Sequence, residues 1–192
     1  MTVLILGLIA FLGLHSVRVV AESWRVRQRA ALGEMRWKLA YSVASIGTLA
    51  LLVWGFSLAR ASTPVVWTPP HALRYLTALL VLVSFVMVAA AYIPGTQLKA
   101  ATGHPMTLGI KNWALAHLLS NGSLADIVLF GSFLIWSVAV FAAARRRDRA
   151  AGAQRPAGNL GRDAIALLAG AVAWFAFAGG LHDWLIGVRP FD

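Results

Sequence analysis

Imidazole is the reactive side chain this sequence repeats. His15, His71, His104, His117 and His182 occur alongside seven acidic residues and no cysteine. The lack of thiols excludes disulfides, thiolate metal sites, iron–sulfur clusters and thiol catalysis. Nitrogen donors set among apolar helices suit haem iron. A hydrolytic zinc site fits less well, because the H-E-x-x-H pattern is absent and acids are scarce.

The segment from His104 to Gly122, HPMTLGIKNWALAHLLSNG, concentrates these groups. It is apolar enough to enter a bilayer, yet it carries two histidines, Lys111, Asn112 and Asn121. Ionisable groups at membrane depth are costly and normally face a protein interior or a polar cavity. At a helical advance of about 100° per residue, the polar positions sort into two stripes. His104 and Lys111 form one. Trp113, His117 and Asn121, spaced by four, form the other. His117 lies deeper in the apolar run and reads as a ligand. His104 reads as a cap or a snorkelling group at the membrane edge, and Asn121 as a residue that turns the chain. Lys111 has two readings: a partner for a carboxylate such as a haem propionate, or a snorkelling cation.

His15 shares a helix face with Leu8, Phe11 and Leu12. It is either a metal or haem ligand or a histidine hydrogen-bonded to a neighbouring helix. His182-Asp183-Trp184 closes the last apolar run and reads as an interfacial anchor before it reads as a ligand. His71 follows Pro69-Pro70 and reads as a solvated loop residue. Most of the eight tryptophans fit an interfacial belt.

These residues must be positioned by membrane helices. The chain of 192 residues is 59% hydrophobic and 12% charged, about half the charged share of soluble proteins, roughly 25%. Its continuously apolar runs fit spanning helices and not the alternation of a β-barrel. The expected fold is an all-α transmembrane bundle forming one domain over 1–192. Six helices are predicted, at about 2–20, 39–58, 72–92, 105–120, 124–144 and 163–186. Pro105 suits a first helical turn and Asn121-Gly122 suits a helix end. The fourth helix is short against a hydrocarbon core of about 30 Å, so it crosses barely or is re-entrant.

The net charge of +10 does not mark a nucleic-acid binder. Six of the 17 Lys and Arg lie within 18–38 and six within 145–162. Both clusters separate apolar runs, as the positive-inside rule expects, and both can attract anionic lipid. The expected setting is a bacterial inner membrane with both termini periplasmic. Residues 145–162 read as a solvated loop without a function.

The 104–122 motif, with LHSVR in the first helix and LHDWLIGVRPF at the end, resembles the NnrU family of bacterial membrane proteins. The resemblance covers essentially the whole chain. It implies a role linked to denitrification, nitric oxide or respiratory metabolism, with membrane proteins of those systems as partners. The family is also similar to the haem-dependent zeta-carotene isomerase. That likeness implies haem b held by His15 and His117, with an isomerase acting on a carotenoid-like polyene as one alternative. A haem-free accessory or assembly protein is another. In a six-crossing topology His15 and His117 differ in depth by about 12 Å, and His104 matches His15 better. H-P-x-x-x-G also occurs in membrane methyltransferases, but no glutamate follows Glu34, so their paired-glutamate motif is missing.

Overall fold

The structure, a computed structural model, describes residues 1–191. The helices are α1 (Thr2–Val20), α2 (Glu22–Leu32), α3 (Glu34–Ser62), α4 (Leu73–Tyr92), α5 (Gln97–Thr102), α6 (Pro105–Ser120), α7 (Leu124–Ala150), α8 (Leu160–Ala176) and α9 (His182–Ile186). A π-helical turn, Phe177–Leu181, joins α8 to α9. Among the described residues there is no β-strand, only isolated bridges at Val65–Ser123 and Thr96–Asn159. Five stretches are long and apolar enough to cross a membrane: α1, α3, α4, α7 and Leu160–Ile186. The chain is therefore an all-helical, multi-pass membrane protein, and its exposed apolar faces are lipid-facing surface.

The remaining predicted helix, the fourth, is α6, whose 16 residues reach about 24 Å. Two details differ from expectation. The basic stretch after α1 is itself helical, forming α2, and α3 begins at Glu34. Charge hid this helix from a hydropathy reading. α2 buries no residue, and Glu22 takes two hydrogen bonds of 2.8 Å from Arg25 one turn later. In addition, α7 continues to Ala150, through the first arginines of the second basic cluster.

The helices form two compact units. The first contains residues 1–66 and 123–132. In it α1 and α3 run antiparallel, Gly7 against Leu52 and Gly55 against Leu4. A Cβ on Gly55 would stand 2.6 Å from the Leu4 nitrogen, so only glycine permits this approach. Small residues play the same part in many membrane interfaces, where dispersion rather than water exclusion drives packing. Leu4, Leu8, Leu52, Phe56 and Ala59 form its core.

The second unit contains residues 67–122 and 133–192. Here α4 is the central helix, packed by α6 and α8. A Cβ on Gly170 of α8 would fall 2.6 Å from Val86 Cα. α6 lies antiparallel to α4 and is joined to it by polar side chains. Thr77 Oγ1 donates to the Ala116 carbonyl at 2.9 Å. Asn112 Nδ2 donates to the Leu80 carbonyl and to Ser84 Oγ. No water competes for such bonds within a bilayer, and Asn112 thereby acquires a structural task.

The connection from α7 to α8 is partly solvated, as expected, but its second half is pinned. Asn159 N donates to Gly95 O at 2.9 Å, and Gly158 N to Gln97 Oε1 at 3.1 Å. Leu98 N donates to Asp163 Oδ1 at 3.2 Å, and Arg162 reaches Pro94 O. These bonds tie the start of α8 to the segment that follows α4.

Candidate functional site

The two stripes of α6 lead to two polar surroundings. His104 and Lys111 both face Phe141 of α7. The His104 ring meets it edge-on at 6.1 Å, and Lys111 Nζ lies 5.4 Å from its ring centre. Lys111 is thus held by a cation–π contact. His104 occupies the N-cap position of α6 but makes no side-chain cap bond. Its Nε2 pairs instead with Asp148 Oδ2 at 3.0 Å. Arg155 also binds Asp148 Oδ2. The expected side-chain cap is thus replaced by a pairing with a carboxylate. Asp148 and Arg155, which the sequence offered only as parts of a basic loop, complete the group.

The second stripe forms a cluster at the opposite end of α6. Trp113 meets His117 edge-on at 5.3 Å and Phe133 at 5.4 Å. Asn121 Nδ2 donates to the His117 carbonyl at 2.9 Å and lies 3.2 Å from His117 Nδ1. Asn121 therefore ends the helix and also holds the ring of the residue one turn earlier.

The ring that faces His117 is one that the sequence reading took for an interfacial anchor before a ligand. His182 lies parallel to it, with 11° between the planes and 6.5 Å between the ring centres. Three local features aim His182. The π turn interrupts α8 and kinks at Gly180. Gly187 ends α9 at φ 73°, in the left-handed region that suits glycine. The returning chain then brings Val188 O to 2.6 Å from His182 Nδ1. With Nδ1–H donating to that carbonyl, the Nε2 lone pair of His182 is left available. The sequence signals were the Gly179-Gly180 pair and a histidine at the end of an apolar run. Neither specifies which helix the ring meets.

His15 lies in the first unit. Its Nδ1 is 2.7 Å from the Phe11 carbonyl, and its ring contacts Phe11 at 4.2 Å and Tyr41 at 5.7 Å. Trp37 extends this aromatic file to Trp24. His71 is exposed. Among the described residues, no group of three or more His, Cys, Asp or Glu is arranged to hold a metal ion.

A family model described as NnrU protein matches residues 3–190. The chain belongs to the NnrU family. No curated protein and no solved structure matches it significantly. Both α6 stripes and the His182 turn of this NnrU chain fall within the matched region.

Proposed function

We propose that this NnrU-family protein binds haem b through paired histidines in the bacterial inner membrane and serves nitrogen-oxide or respiratory metabolism. The observation that carries this reading is the setting of His117. It sits on a membrane helix, its Nδ1 beside the Asn121 amide and its ring between Trp113 and a second imidazole. A histidine that ligates a metal characteristically engages its other nitrogen with a fixed polar partner. His182 does so through Val188 and His15 through Phe11. In the orientation described, the Asn121 amide donates to His117 Nδ1. The same amide nitrogen donates to the His117 carbonyl at 2.9 Å, which fixes Asn121 in this orientation.

Haem iron would supply a centre that changes valence or binds nitric oxide. The protein's own part is to hold the rings, surround them with aromatic side chains and keep water away. The resemblance implies His15 as the partner of His117. Positive-inside placement of both basic clusters puts both termini in the periplasm. That requires α6 to complete a crossing, and its antiparallel course along α4 supports this.

The test is the absorption spectrum of protein purified in detergent from haem-replete cells. A Soret band is expected, and His117→Ala should shift or abolish it. Wild-type protein without a Soret band overturns the proposal.

A further inference from the structure

We infer that His182 is the ligand opposed to His117, so that the two imidazoles form a trans pair closed by the C-terminal turn. This inference rests on the haem reading above and changes which residue completes the site.

The argument begins with spacing. A metal lies about 2 Å from an imidazole nitrogen, and the ring centre about 1 Å beyond, so opposed ligands put ring centres about 6 Å apart and tetrahedral ones about 5 Å. The observed 6.5 Å, with ring planes 11° apart, falls nearer the opposed spacing than the tetrahedral one.

Orientation supports the spacing. The His182 Nδ1–H bond to Val188 O at 2.6 Å fixes the tautomer with its lone pair on Nε2, as carbonyl-anchored metal ligands require. The fold makes this geometry through the kink at Gly180 within Phe177–Leu181 and the left-handed Gly187. Phe177 lies edge-on to His182 at 5.7 Å and also contacts Phe85 of α4 at 5.8 Å. The turn is thus braced against the central helix.

His117 and His182 also belong to one compact unit and meet directly.

The experiment is absorption and electron paramagnetic resonance spectroscopy of haem-loaded, detergent-purified protein. The wild type should be low-spin ferric. His182→Ala should become high-spin, and added imidazole should restore the low-spin spectrum, a rescue that a purely structural role would not give. His182→Met, which keeps a ligand atom, should retain haem with a raised midpoint potential. An unchanged low-spin spectrum in His182→Ala overturns the inference while leaving haem binding intact. So does haem loss in both His182 variants without imidazole rescue. A wild-type protein with no Soret band overturns the underlying haem reading instead.

Discussion

His104 Nε2 lies 3.0 Å from Asp148 Oδ2, joining the first residue before α6 to the last turns of α7 across 44 positions of sequence. Arg155 binds the same carboxylate oxygen. One acceptor therefore serves two cationic or potentially cationic partners, and their contributions are coupled. In thermal unfolding of detergent-solubilised protein, Asp148→Asn should lower the Tm. His104→Ala or Arg155→Ala added to it should then cost less than in the wild-type background. Additive losses across the double-mutant cycle would show that the three residues do not act as a group.

Asn112 is expected to be structural. It holds two acceptors on α4, and interhelical hydrogen bonds in membranes contribute on the order of 1 kcal/mol. Asn112→Ala should destabilise the fold by about that amount in a denaturant titration followed by circular dichroism. The haem spectrum should be unaltered. A changed spectrum at unchanged stability would move Asn112 from the frame to the site.

Gly170→Val tests the seat of α8 on α4. The added Cβ would fall 2.6 Å from Val86 Cα, backbone against backbone, and neither side can give way by rotating a side chain. Overpacking of this kind costs about 1–3 kcal/mol. Protease sensitivity between α7 and α8 should rise with it, since the pinned half of that connection depends on where α8 begins.

Asn121 tunes the ring that it holds. Asn121→Asp offers a carboxylate to His117 Nδ1–H and makes the imidazole a stronger donor. The midpoint potential of bound haem should fall. With Asn121→Leu, which has no polar group, it should rise or the haem should be lost. Equal potentials in the wild type and both variants would show that Asn121 only ends the helix.

Much of this was legible along the chain. Pro105 and Asn121-Gly122 marked the two ends of α6, and residues spaced by four predicted that Trp113, His117 and Asn121 share a face. The contacts Trp113–His117 and His117–Asn121 follow from helix geometry alone. The partners of each stripe were not legible, because His104–Asp148 and His117–His182 are contacts between distant segments. Hydropathy saw only charge in α2. It could not show that Glu22 and Arg25, one turn apart, favour a helix there. Nor could it show that a π turn and Gly187 swing His182 inward, since periodicity says where a helix runs and not where it breaks.

The Val188 carbonyl anchoring His182 has a consequence for how the protein is made. His117 is laid down on α6, but the chain must thread α7 and α8 and seat Gly170 on Val86 before His182 can face it. The α4–α6 hairpin can assemble while the ribosome is still at work. The histidine pair forms only once α8 has docked on α4, so the face that His117 offers is closed last.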